Sequence, residues 1–145
     1  MSMKKILLIQ GPNMHYLGQR EPEIYGTTTA KELDVLLKQH AEDQQYKLDI
    51  FYTNVEGDAV NRIYQALQEG VDGLVMNPAA FSFNGYALRD CIEGTNIPYV
   101  EVHISNIAKR KRESILAEVA SGVMYGFGIY GYVFAIEAML YLLLE

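Results

Sequence analysis

The chain has 145 residues, of which 50% are hydrophobic and 21% charged, the composition of one globular domain with a sizeable core. The formal net charge is -6 and the one basic cluster, Lys109-Arg110-Lys111-Arg112, is short and followed by Glu113, so nucleic acid is not expected as a partner and the cluster reads as a solvated helix face or an anion contact. The single Cys91 excludes an internal disulfide and fits a cytoplasmic protein; within Leu88-Arg89-Asp90-Cys91-Ile92 it reads as a structural thiol on the core side of a helix.

The first apolar run, residues 5–9, has the continuous hydrophobicity of a buried parallel strand and is too short for a signal-peptide core. The stretch from Gly11 to Gly26 follows it. It is too polar and too rich in Gly and Pro for strand or helix and longer than a usual strand-to-helix loop, so it reads as an active-site lid carrying Asn13, His15, Arg20 and Tyr25. Thr29 and Glu32 form the capping-box pattern of a helix start, with Leu33, Leu36, Leu37 and His40 on one face; His40 reads as an ordinary helix residue near the surface. Residues 48–52 form a second strand. Asp58 is placed to cap a helix through Val60, Ile63, Tyr64 and Leu67 that ends at Gly70. A strand over 73–76, a helix over 84–92, a strand over Tyr99–His103, a short helix over 107–117, a strand over Gly122–Tyr125 and a helix over 130–143 complete the chain. The apolar run 132–144 contains Glu137 and falls short of the roughly 20 residues that span a bilayer, so no membrane partner is expected and the last helix is expected to be buried in the core or against another subunit.

This alternation predicts a single α/β domain over residues 1–145, with a five-stranded parallel sheet and helices on both faces. The glycines from Gly126 to Gly131 have the wrong spacing for a dinucleotide fingerprint, and the chain has no P-loop. Ligands in such sheets bind beyond the C-terminal strand ends, where the first strand leads to Asn13, the third to Asn77 and the fourth to Glu101 through Ser105.

His103 is the strongest acid/base candidate, because imidazole titrates near neutrality. Glu101 lies two residues before it, which on a strand puts both side chains on one face, where a carboxylate can orient an imidazole. The alternative for His103 is a structural histidine at a strand end; the company of Glu101, Asn13 and Asn77 favours chemistry. Arg20 and Tyr25 either form a phenolate base with its guanidinium or a surface Arg–Glu pair with a packed tyrosine. Asn13 and Asn77 either hold a water or an oxyanion, or simply shape turns. Residues 103–106 can present N–H groups and a hydroxyl to a carboxylate, or a plain helix cap. Neither a metal site nor a Schiff-base lysine is supported by the residues present. The residues thus point to a cofactor-free acid/base enzyme acting on a small anionic molecule.

Three blocks carry a resemblance: Gly11-Pro12-Asn13 with Leu17-Gly18-Gln19-Arg20-Glu21-Pro22-Glu23-Ile24-Tyr25-Gly26; Asn77-Pro78 with Ala87-Leu88-Arg89-Asp90; and Glu101-Val102-His103-Ile104-Ser105-Asn106. Together with the glycine-rich end from Gly126 to Tyr132 they closely resemble the type II 3-dehydroquinate dehydratases, over essentially the whole chain. The resemblance implies a flavodoxin-like three-layer sandwich, a homododecamer built as a tetramer of trimers, and trans-elimination of water from 3-dehydroquinate through an enolate, without metal or other cofactor. It implies Tyr25 as the base at C2, Arg20 as the lid residue favouring its ionised form, Asn13 as holder of a water at the enolate, and His103, oriented by Glu101, as the acid. It implies Asn77 beside the leaving hydroxyl, Ile104 and Ser105 at the carboxylate, and Asp90 reaching the site from an adjacent subunit.

The chain departs from the family on the side that binds ring hydroxyls. Phe83 stands where a substrate-binding histidine is usual, Gln10 where an asparagine is usual, and the segment after Asn106 is about three residues shorter than the family's, so that Arg110, Lys111 or Arg112 is left to replace a ring-binding arginine. Three readings follow: a working dehydroquinate dehydratase with weakened affinity, a relative acting on a modified cyclohexane carboxylate such as an amino analogue, and a non-catalytic binding or assembly protein. Retention of Tyr25, Arg20 and His103 together favours the first.

Overall fold

A computed structural model describes residues 3–144. Strands β1 (Lys5–Gln10), β2 (Lys47–Tyr52), β3 (Gly73–Asn77), β4 (Tyr99–His103) and β5 (Gly122–Tyr125) form one all-parallel sheet in the order β2-β1-β3-β4-β5. The central strands are apolar at both parities because both faces are covered. Ile6, Leu8, Val75, Val100 and Val102 pack toward α2 (Ala30–Gln44) and α6 (Tyr130–Leu142). Leu7, Ile9, Leu74, Met76 and Tyr99 pack toward α3 (Glu56–Gln68) and α5 (Tyr86–Thr95). The result is the three-layer α/β sandwich expected. Among the described residues no helix is long and apolar enough to cross a membrane.

The chain steps from β1 to β2 on one side and returns to β3 on the other, so a crevice opens where the C-terminal ends of β1 and β3 part. Gly11 sits in that gap. Its N–H donates to the Asn77 carbonyl at 2.9 Å, and a Cβ here would lie 2.4 Å from the Pro78 oxygen, so no other residue allows this approach.

Several local expectations need correction. The stretch from Gly11 to Gly26 is not free of helix: a 3-10 turn (Met14–Tyr16) and the one-turn α1 (Pro22–Tyr25) form within it, the latter started by Pro22, whose missing N–H costs nothing at a first helical position. Asp58 does not cap α3. That helix starts at Glu56 after Val55, and Asp58 lies in its first turn, where with Glu56 it complements the helix dipole. The helix expected over 84–92 is split at Gly85 into α4 (Phe81–Asn84) and α5; the Gly85 N–H ends the first by bonding the Phe81 carbonyl at 2.8 Å. Residues 107–117 do not form the expected helix. They run as turns, with Lys111 in the left-handed region at φ 58, and only Ala117–Val119 forms a 3-10 turn. Four consecutive cationic side chains repel one another along a helix, and two of them are turned into the cleft described next. His40 is half-buried rather than an ordinary surface residue: Nδ1 meets the Tyr46 hydroxyl at 2.8 Å and Nε2 meets Glu137 at 3.2 Å, tying α2 to α6.

Candidate active site

A cleft of about 630 Å³, counting space open to solvent, lies at the C-terminal ends of β1, β3 and β4 under the stretch from Gly11 to Gly26. Asn13, Arg20, Tyr25, Asn77, His103, Ile104, Ser105 and Arg112 all line it, so nine of the ten expected site residues are accounted for once buried Glu101 is added behind His103. Asp90 is the tenth. It is exposed on α5 and does not line this chain's cleft.

His103 ends β4, where strand alternation puts it on the same face as Glu101. Its Nε2 lies 2.6 Å from Glu101 Oε2, and Glu101 is fully buried. A carboxylate only accepts, so Nε2 carries the proton and Nδ1 is the ring atom left for a ligand. The Tyr99 hydroxyl (2.7 Å) and the Ser114 hydroxyl (3.1 Å) both donate to Glu101 Oε1. The buried carboxylate is thereby satisfied on both oxygens.

Tyr25 ends α1 with two guanidinium groups near its ring, Arg20 at 5.3 Å and Arg110 at 5.6 Å from the ring centre. Its hydroxyl is not bonded by Arg20, which instead lies 3.7 Å from Glu21. Arg110 Nη1 donates to the Tyr25 hydroxyl at 3.2 Å and to Ser105 Oγ at 2.9 Å. Arg110, expected only as one of three candidates for a ring-binding arginine, is instead the partner of Tyr25 and Ser105. Its only signal in the sequence was the basic cluster, of which Arg110 and Arg112 line the cleft while Lys111 does not. Of the two readings given for that cluster, the solvated helix face is overturned for these two residues.

Asn13 takes the left-handed conformation at φ 69, held by its own N–H donating to Asn54 Oδ1 at 2.9 Å, and is exposed toward the cleft. Asn77 is more committed. Its Oδ1 accepts the Ala79 N–H at 3.1 Å, and its Nδ2 donates to the Tyr132 hydroxyl at 2.9 Å, leaving a weak contact to the Met14 sulfur at 3.6 Å as the one a ligand would displace. Tyr132 in turn donates to Gln10 Oε1 at 2.7 Å, while Gln10 Nε2 is buried without a hydrogen-bond partner among the described residues. Phe83 is half-exposed on the cleft wall, and the Arg112 guanidinium stacks 5.5 Å from its ring centre.

Cys91 is buried on α5 away from the cleft, and burial pushes its thiol up from the ordinary value, which disfavours the thiolate. Chemically, the cleft combines an imidazole backed by a carboxylate, a phenol against an arginine, and an arginine–hydroxyl pair suited to a carboxylate. That is equipment for moving two protons on an anionic substrate.

A family model described as dehydroquinase class II matches residues 4–140. The chain is 44% identical over 136 residues to a 3-dehydroquinate dehydratase of Polynucleobacter asymbioticus, covering 92% of this chain and 91% of that one. It is 43% identical over 141 residues to a 3-dehydroquinate dehydratase of Clostridium botulinum, covering 95% of each. The crystal structure of a type II dehydroquinase from Butyrivibrio crossotus superposes with a TM-score of 0.91 at 33% identity, covering 95% of this chain and 98% of that one.

Proposed function

This chain belongs to the class II dehydroquinase family, and we propose that it eliminates water from 3-dehydroquinate to give 3-dehydroshikimate, a step shared by shikimate synthesis and quinate breakdown. The observation that carries the reading is the Arg110 guanidinium, bonded at once to the Tyr25 hydroxyl and to Ser105 in the cleft that holds the His103–Glu101 pair. Tyr25, as phenolate, takes the C2 proton, and Arg110 and Arg20 stabilise negative charge on its oxygen. The electron pair moves into an enolate, whose oxygen is met by a water on Asn13. His103, as the imidazolium, then delivers its Nδ1 proton to the departing hydroxyl, which leaves as water, and returns to the neutral Nε2–H form, while Glu101 steadies the ring from behind.

The substrate carboxylate is assigned to Ile104 and Ser105, with Ser105 turning from Arg110 to the ligand. Asn77 is assigned to the leaving hydroxyl and Arg112 to the remaining ring hydroxyls. Asp90 reaches a site only if it is a neighbour's, which fits a homododecamer built as a tetramer of trimers; the exposed Val123, Phe127, Tyr130 and Phe134 on β5, on α6 and between them supply apolar area for such contacts. A cytoplasmic setting fits the lone buried thiol.

The test is the rise in absorbance of the conjugated enone when purified protein meets 3-dehydroquinate. A steady rise that disappears in Tyr25→Phe supports the assignment. No rise at high substrate, with the protein folded, overturns it. One observation favours a second reading: the Phe83 ring, stacked with Arg112, offers no hydrogen bond to a ring hydroxyl, which suits a modified cyclohexane carboxylate in which that group differs.

A further inference from the structure

One face of β4 carries Tyr99, Glu101 and His103 at successive alternate positions. The three form a line. Tyr99 is rooted in the core beneath α3 and α5 and is 1% exposed; its hydroxyl reaches up the strand to Glu101 Oε1 at 2.7 Å. The other oxygen of the same carboxylate meets His103 Nε2 at 2.6 Å. A carboxyl group is planar and rigid, so fixing one oxygen fixes where the other points. The tyrosine ring has two rotatable bonds, both locked by close packing, which makes its hydroxyl a firmer anchor than that of Ser114, the second donor to Oε1 at 3.1 Å from the turn-rich segment after β4.

We infer that Tyr99 is a positioning residue for the elimination: its hydroxyl holds Glu101, and Glu101 holds the His103 ring with Nδ1 toward the cleft. The inference rests on the assignment of His103 as proton donor. Burial and then the Glu101 charge push the Tyr99 phenol well above its ordinary value, so it remains a donor wherever the protein is folded. The other charged groups on this cleft, Arg20, Arg110, Arg112 and Glu113, lie on the lid and the turn segment, and Tyr25 is the remaining phenol there. Among the described residues that hydrogen-bond the Glu101 carboxylate, Tyr99 is the one whose ring lies in the apolar core.

The test is Tyr99→Phe in the full chain, which deletes one oxygen and keeps the ring. The kcat for 3-dehydroquinate should fall about tenfold with KM within about twofold, the scale of one hydrogen bond to a charged group. In a Glu101→Gln background the same substitution should change kcat by less than about twofold, because the line is already cut. Equal losses in both backgrounds would mean that the hydroxyl only supports packing, and would overturn the inference, as would an unchanged kcat. A Tyr99→Phe chain that does not fold would overturn it too, since the hydroxyl would then hold the fold rather than aim a side chain. A second readout does not depend on the reaction. In protein carrying nitrogen-15 histidine, His103, one of three histidines, should show the Nε2-protonated tautomer, and should lose it as the dominant form in Tyr99→Phe. An unaltered tautomer would overturn the inference. If wild-type protein gives no enone, the dehydratase reading fails while this spectrum still decides the role of Tyr99.

Discussion

Replacing Arg110 with methionine keeps most of the side-chain length and removes a guanidinium that touches two oxygens of the cleft, Tyr25 Oη at 3.2 Å and Ser105 Oγ at 2.9 Å. The Ser105 contact is regained by substrate or water in the variant, so its loss counts little toward the barrier. The Tyr25 contact is different, because it strengthens when the oxygen is ionised and no other side chain among the described residues donates to it. A hydrogen bond to a charged group contributes about 1.5–3 kcal/mol, and the approach of a second guanidinium to the ring, from Arg20 at 5.3 Å, adds only about 0.5–1 kcal/mol at a site this exposed. Losing about 2–3 kcal/mol of stabilisation of the phenolate corresponds to roughly 30- to 150-fold in kcat. The enone assay at saturating 3-dehydroquinate reads this directly. Arg110→Lys should recover less than about tenfold, since an ammonium is a point charge without the planar fork that spans both oxygens. A kcat for Arg110→Met within twofold of wild type would refute the reasoning, and would return the activation of Tyr25 to Arg20 alone.

Other perturbations test other parts of the site. Tyr132→Phe strips Asn77 Nδ2 of its acceptor and Gln10 Oε1 of its donor, both fully or nearly buried, and should destabilise the fold by about 1–3 kcal/mol in denaturant melts. Phe83→His should lower KM for 3-dehydroquinate by restoring a hydrogen-bonding group beside Arg112; a loss of activity instead would show a pocket adapted to a different ring substituent. Asp34 is half-buried, and burial raises its carboxyl above the ordinary value although Tyr52 donates to it at 2.8 Å. The folded state therefore holds the Asp34 proton more tightly than the unfolded chain, and the ionised group costs stability at neutral pH. Asp34→Asn should raise the melting temperature at pH 7, with a gain that shrinks as pH falls through the Asp34 range; a gain that is constant with pH would refute this account.

What the sequence made legible was whatever depends on a short repeat. The continuous apolar runs of β1 and β3 announce strands covered on both faces, and the alternation of side chains along β4 carries the Glu101–His103 pair, because residues two apart on a strand must share a side. The capping box at Thr29 and Glu32 is equally local and is present, with both reciprocal bonds formed at 3.0 and 3.1 Å. The partner of Tyr25 was not legible. Arg110 stands 85 residues away, and no local rule distinguishes it from its cationic neighbours. The same limit explains the misread helix over 107–117. Lys, Arg, Glu and Ala there have good helix propensity, but propensity is a weak prior against tertiary demands.

Those tertiary demands have one origin. To reach Tyr25 on the lid and Ser105 at the end of β4, Arg110 needs the chain to turn back sharply just after the strand, and to cover Glu101 the chain must bring Ser114 over the buried face of β4. A regular helix would point side chains three or four apart to one face and carry the rest of the segment away from the strand end. The turns around Lys111, including its left-handed backbone, instead send Arg110 and Arg112 into the cleft and Ser114 down onto Glu101. This segment thus joins the phenol side of the site to the imidazole side. Its shape is set by those two attachments rather than by the preferences of its own residues.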